Sequence, residues 1–280
     1  MNKIKIIILQ EYLMNVKKRS TWITTGIIPA IFLLMEVFKS YFGLDDSPSQ
    51  SPIDAAAVSQ ILAMCIWLFL IMYGAFIFNS VRFEKSNKIV EIILSSVSAF
   101  QFMAGKIIAV SLLGLTQIAV WAIALLAMSG GSSVIHAFLA ISSPLYVLSV
   151  GFFCFIGGYL FYGSIYAAFG ALTDPDNSNQ QYMVFVTVLL LVAFYSGIYV
   201  AQFPDTSFSN ACLYIPFTSP IAIMAVLPHG LPLWKLLTSL LVLIGFSLLS
   251  LFCAGKVFAG SILLKGKKFS FADIIKLLKS

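Results

Sequence analysis

The sequence predicts an all-α membrane protein, a single bundle of six transmembrane helices, and three observations carry that expectation. The 280-residue chain is 60% apolar and only 10% charged, where a soluble domain carries roughly 25% charged residues. Mean hydropathy is +0.98. Apolar runs of about 18 residues or more recur, the length that crosses a hydrocarbon core about 30 Å thick. These runs are unbroken rather than alternating, which excludes a transmembrane β-barrel. In lipid every backbone group must be satisfied within its own segment, so the runs are helices.

Residues 1–20 are mixed. Ile6, Leu9, Leu13 and Val16 recur at i, i+3, i+7 and i+10 with Tyr12 beside them, and Lys3, Gln10 and Lys17 lie near the opposite face. The pattern fits a basic amphipathic helix on the membrane surface. It also fits a charged flank that merely orients the next span. The apolar patch Ile6 to Leu9 is too short for a cleavable signal peptide. Trp22 to Phe42 is the first expected span, with Trp22 and Tyr41 as interface anchors. Glu36 and Lys39, three apart near its outer end, are candidates for an ion or substrate contact, although a local pair reaching the interface accounts for them more simply.

After the acidic loop Gly43 to Asp54, the remaining expected spans are Ala55–Val81, Ile107–Met128, Leu145–Leu172, Met183–Ala201 and Leu236–Ala254. The fourth contains Gly163, Ala167 and Ala171 at four-residue intervals, which suits either a dimer seam or packing within the chain. Residues 211–230 are apolar but interrupted by Pro216 and Pro220. Two prolines so close argue against a continuous span and for a hairpin entering and leaving one leaflet. Residues 265–280 form a basic tail with Ile274, Ile275, Leu277 and Leu278 on an amphipathic turn.

Six spans with an inner N-terminus leave only Lys39 and Lys235 of the 17 basic residues outside. That bias places both termini in the cytoplasm and explains the +6 net charge without nucleic acid. Several chemistries find no support. No Gly-Lys pair (105–106, 255–256, 266–267) sits in an ATP-binding loop. His136 and His229 stand apart from any acid cluster, the four cysteines lack metal or disulfide spacing, and no hydrolase motif occurs. The chain is therefore expected to be no enzyme, to hold no metal and to bind no cofactor.

Between the second and third spans lies a polar stretch, RFEKSNKIVEIILSSVSAFQFMAGK, from Arg82 to Lys106. Glu84 and Lys88 are i,i+4, and Lys88 and Glu91 are i,i+3, a charged stripe on one helix side. Ile89, Ile92, Ile93 and Val97 supply the other side. Ser95 and Ser96 weaken that helix, and Ser98-Ala-Phe-Gln101 is a capping box that starts the next. A helix from Glu84 to Ser96, hinged onto a membrane helix, suits docking into a groove on a soluble partner.

This stretch closely resembles the signature of ABC-2-type ABC exporter permeases, in particular the sodium-extrusion-like, multidrug and peptide branch. The pattern is Glu-Lys-x-Asn-Lys-x-x-Glu-x-Ile-Leu-Ser-Ser followed by a spaced Gly-Lys, met by Glu84, Lys85, Asn87, Lys88, Glu91, Leu94, Ser95, Ser96, Gly105 and Lys106. GSIYAAFGALTDPDNSNQQ is similar to the family's fourth-span exit, IPFTSPIAIMAVLP to its outer re-entrant hairpin, and EYLMNVKKRSTWITTGIIPAIF to its interface helix and first span. That branch carries a large insert after its first span, where this chain has only Gly43 to Asp54, so its substrate is not carried over.

The resemblance implies the exporter fold: an interface helix (1–20), a six-span bundle (21–264) with a coupling helix (83–103) and a re-entrant hairpin (211–230), and a cytoplasmic tail (265–280). It implies a permease subunit in a bacterial plasma membrane. Its partners would be a second permease copy, membrane lipid and separate ABC ATPase subunits that bind ATP and Mg. Glu84, Lys85, Lys88, Glu91, Ser95 and Ser96 would couple to the ATPase, and Pro216, Phe217 and Pro220 would form an outer gate. The competing expectation is a non-transporting membrane immunity or sensor protein that binds a peptide or lipid.

Overall fold

The computed structural model describes residues 3–19, 21–23, 25–26, 30, 34, 55–86, 96–128, 143–173 and 181–263. Most of the expected first span, with Glu36 and Lys39, lies outside the described residues, as do Lys88, Glu91, Ser95 and the tail 265–280. The helices are α1 (Lys3–Lys17), α2 (Ala55–Ser86), α3 (Ala99–Met128), α4 (Pro144–Leu172), α5 (Gln181–Gln202), α6 (Ser207–Tyr214), α7 (Ser219–Val226) and α8 (Leu233–Leu263). Among the described residues, five helices are long and apolar enough to cross a membrane: α2, α3, α4, α5 and α8.

The helices outrun their apolar runs. α3 begins at Ala99, where the capping box starts the helix that leads into the apolar run at Ile107, and α8 ends at Leu263 rather than Ala254. The reason is that capping and backbone hydrogen bonding, not hydropathy, decide where a helix stops. At α3 the capping box closes as expected: the Gln101 amide donates to Ser98 Oγ at 3.2 Å, and the Ser98 amide donates to Gln101 Oε1 at 3.3 Å.

α4 is the centre of the bundle, packed against α2, α3, α5, α7 and α8. Pro144 starts it, where a missing N–H costs nothing. Its fully buried Tyr159, Tyr162 and Tyr166 each direct their hydroxyl to a different neighbour. Tyr159 donates to the Tyr73 carbonyl of α2 at 3.3 Å, Tyr162 to the Phe217 carbonyl at 2.6 Å, and Tyr166 pairs with Thr187 of α5 at 3.1 Å. A buried tyrosine needs such a partner, so the three rings fix position as well as fill space.

Backbone contact between α2 and α4 is direct. A Cβ built on Gly170 would lie 2.6 Å from the Phe78 carbonyl oxygen, and Gly74 faces the Tyr166 ring with no room for a side chain. Ala167 and Ala171 are fully buried, and Gly163 faces Tyr159 and Ile107. The small-residue repeat therefore packs within the chain, and the dimer-seam reading of it falls.

α6 and α7 form the proline-interrupted hairpin. It begins four residues earlier than residue 211, because Thr206 caps α6 by accepting from the Ser209 amide at 3.2 Å. Pro220 falls in the first turn of α7, and Gly230 in the left-handed region (φ 83°) ends the short 3-10 turn Leu227–His229. Gly170→Val should lower the melting temperature in detergent by about 4–8 °C. Gly245→Ala, where nothing lies within 4 Å of an added Cβ, should leave it unchanged or slightly higher. A thermal melt of both variants checks the pair.

Candidate functional site

The candidate site lies where α2 ends and α3 begins. The capping box turns the chain at Ser98, and about 10 Å further along α3 come Gly105 and Lys106. Gly105 admits α1: a Cβ there would stand 2.7 Å from Ile7 Cγ2. Lys106 is fully buried, and its ammonium donates to Glu11 Oε1 of α1 at 3.1 Å and to Glu84 Oε1 of α2. One cation from α3 thus joins carboxylates from two other helices. The Glu11 and Glu84 side chains are 11% and 28% exposed, so this is an interior ion cluster and not a surface pair. Loss of the lysine would strand two partly buried carboxylates, a change that costs about 3–5 kcal/mol.

Contacts on either side extend this node. Lys3 Nζ donates to the Ser96 carbonyl at 2.6 Å, just before the capping box. Lys18 Nζ donates to Asn15 Oδ1 at 3.0 Å and lies over the Phe76 ring of α2. Beyond α1, Gln117 of α3 donates to Thr25 Oγ1 at 2.6 Å, and the Trp121 indole donates to the Thr25 carbonyl at 2.8 Å. The start of the chain therefore runs alongside α3 from Ser96 to Trp121.

Two expectations change. Glu84 and Lys85 do not open a separate coupling helix at residue 83: both belong to the last turns of α2, and α3 already includes residues 99–103. Glu84 is engaged by Lys106, and Lys85 is buried. Of the expected coupling residues, only Ser96 is both described and exposed. On α1, Glu11 and Asn15 face the bundle, while Ile6, Leu9 and Leu13 share the outward surface with Lys3, Lys5 and Lys17. In lipid an apolar outward face is the favourable one, and polar groups turn inward to find partners.

Sequence spacing missed Glu11–Lys106 because 95 positions separate the two. The available signal was Lys106 itself, a cation at the start of an apolar span that needs an acid. The arrangement holds helices together and offers no reacting group. Among the described residues no cluster of three or more His, Cys, Asp or Glu could hold a metal ion.

The proline hairpin makes a second feature, away from the first. Its turn, 215–218, is pinned by Thr218 Oγ1 donating to the Cys212 carbonyl at 2.7 Å, and Phe217 packs edge-on against Phe161 at 5.0 Å. Tyr162, which holds the Phe217 carbonyl, lies about 27 Å along α4 from Pro144, so the hairpin reaches deep. Pro220 is buried against Gly158, and Ile221 against Gly197 of α5, while Pro216 and Phe217 are half-buried. Beside α7 an apolar cleft of about 340 Å³ opens between α2 and α5, bordered by Gln60, Met64, Phe194, Ile198, Ile221 and Ala225.

Residues 41–256, more than half of the chain, match the family model described as ABC-2 family transporter protein. The chain belongs to the ABC-2 transporter family. The uncharacterized protein YhaP of Bacillus subtilis (strain 168) is 27% identical over 233 residues, which cover 78% of this chain and 54% of that protein. The uncharacterized protein MJ1024 of Methanocaldococcus jannaschii is 26% identical over 227 residues, 79% of this chain and 54% of that protein. The chain thus spans about half the length of the curated relatives it matches. No solved structure matches it. The ABC-2 membership agrees with the all-helical, multi-pass architecture and with the resemblance read from residues 84–106.

In this ABC-2 chain the hairpin depends on the Tyr162 hydroxyl. Tyr162→Phe leaves the Phe217 carbonyl unpaired, a loss of about 1–3 kcal/mol. Hydrogen exchange at the amides of residues 215–219 should accelerate by about tenfold or more, with exchange in α3 unchanged.

Proposed function

We propose that this chain is the permease subunit of an ABC exporter, driven by ATP hydrolysed on separate ATPase subunits. Two permease copies pair with two ATPase subunits, and substrate leaves the cytoplasm between the two bundles. The observation that supports this reading most directly is the junction at α2 and α3. There the family's Gly-Lys pair binds the interface helix through Gly105–Ile7 and Lys106–Glu11. A push on the segment between Ser86 and Ser98 would then reach three helices at once.

The chain's own architecture suits division of labour. It has an ion-locked inner junction and an apolar, hydrogen-bonded hairpin at the opposite end, and its sequence has no ATP-binding loop. The distribution of basic residues supports cytoplasmic termini in a plasma membrane. Docking falls to Lys88, Glu91, Ser95 and Ser96, since Glu84 and Lys85 are committed within the bundle. Pro216, Phe217 and Pro220 act as the outer gate, with the neighbouring apolar cleft on the path of an amphipathic or apolar cargo.

The tagged chain, purified from its source cell, should carry an ATPase with it, and the isolated chain should hydrolyse no ATP. Lys88→Glu combined with Glu91→Lys should leave membrane insertion intact and reduce recovery of the ATPase by tenfold or more (about 1.4 kcal/mol). Undiminished recovery would overturn the docking assignment. Ser270→Cys should react with an impermeant maleimide only from the cytoplasmic side, and labelling from outside would overturn the orientation.

A further inference from the structure

We propose that the exposed polar line of α1, formed by Lys3, Gln10 and Lys17, borders the export path and takes the phosphate or carboxylate of an amphipathic anionic cargo. This rests on the permease reading above and names the class of cargo. The first observation is depth. Lys3 donates to the Ser96 carbonyl, just before α3, and Thr25 meets Gln117 and Trp121 of α3. Ala99–Trp121 is itself long and apolar enough to cross a membrane. Residues 3–25 therefore run the length of that span. Lys17 stands about 20 Å beyond Lys3 and about 12 Å short of Thr25, by the rise of a helix.

The second observation is exposure. Lys3, Gln10 and Lys17 are all exposed, and steps of seven residues, close to two turns, keep them on one side of the helix. Ile6 and Leu13, also exposed, border that line. Arg19 is exposed near the depth of Lys17. Among the described residues, the side chains of Lys17 and Arg19 meet no acid. A cation at that depth faces hydrocarbon at high cost unless a polar partner meets it. The third observation is where the acids are. Of the described acids, Glu11 and Glu84 are bound to Lys106, and Asp205 lies beyond the end of α5. A second copy of the described bundle therefore brings no free acid to Lys17. The counter-charge comes with a ligand, and the apolar border suits one with an apolar body.

Binding is measured on the full chain alone, in phosphatidylcholine vesicles, so the result does not depend on an ATPase. A bimane fluorophore at Met14→Cys, exposed on α1, reports quenching by a brominated long-chain alkyl phosphate and by the brominated alcohol of the same chain. The two probes differ only in the anionic group. Leu241→Cys, exposed on α8, is the control position. Cys65 and Cys253 are replaced by alanine in the background, while Cys154 and Cys212 are buried and stay.

The alkyl phosphate should quench at Met14→Cys at about tenfold lower concentration than the alcohol, as expected of a hydrogen bond to a charged group. At Leu241→Cys the two should quench alike. Lys17→Gln combined with Arg19→Gln should abolish the preference, and Lys17→Arg combined with Arg19→Lys should keep it. Equal quenching by the two probes at Met14→Cys overturns the proposal, as does a preference that survives loss of both cations or that is lost in the charge-preserving exchange. The same preference at Leu241→Cys overturns it too, since net charge alone then draws the anion. Brominated phosphatidylglycerol that matches the alkyl phosphate makes this face a lipid site and likewise overturns it. If the preference holds and ATP drives no release of the alkyl phosphate from the complex with its co-purified ATPase, it is the permease reading that fails.

Discussion

The bundle depends on how closely α2 and α4 approach. Their backbones touch at Gly170 and Phe78, and this contact sets the spacing of the two helices. Membrane helices gain nothing from leaving lipid for an equally apolar neighbour, so close packing and interhelical hydrogen bonds must supply the association. α4 does both: Gly170 admits the backbone of α2, and three tyrosines reach α2, α5 and the hairpin turn. The hairpin's broken backbone is tolerable because it is enclosed by this protein surface rather than by hydrocarbon. Pro220 against Gly158 and Ile221 against Gly197 are the contacts that enclose it.

Charge follows the same constraint. Few charged groups occur in the described bundle, and Lys106, the most deeply buried of them, is met by acids from two helices. Its partners give that end of the bundle a specific register that apolar side chains alone would leave loose. The hairpin is held differently, by the Tyr162 and Thr218 hydroxyls on backbone carbonyls. The junction of α1, α2 and α3 is fixed by ions and the hairpin by neutral hydrogen bonds, so the two features answer differently to salt and pH.

Much of this was legible in the sequence because it is local. Span existence follows from apolar run length, the hairpin from Pro216 and Pro220, and the start of α3 from Ser98 and Gln101. What escaped is non-local or reversed by the solvent. Glu84 looked like part of a surface stripe with Lys88 because helical spacing weighs only near neighbours; its partner Lys106 is 22 positions away. Gly163, Ala167 and Ala171 announce close packing but not against what, and only the position of α2 and α3 decides it. On α1, apolar periodicity did not mark a single face: Ile6, Leu9 and Leu13 turn outward beside the lysines, Tyr12 and Val16 pack on the core, and Glu11 and Asn15 turn in.

The order of Glu11, Glu84 and Lys106 along the chain bears on how the protein is made. Translation delivers Glu11 first, then Glu84, and Lys106 last. Both carboxylates are therefore already at the membrane when the helix bearing the cation leaves the ribosome, since synthesis runs from the N-terminus. An unpaired lysine inside a span is costly to insert. Here that cost is met on arrival by partners made earlier, and the closing of the cluster marks the moment when the first half of the bundle has its helices in place.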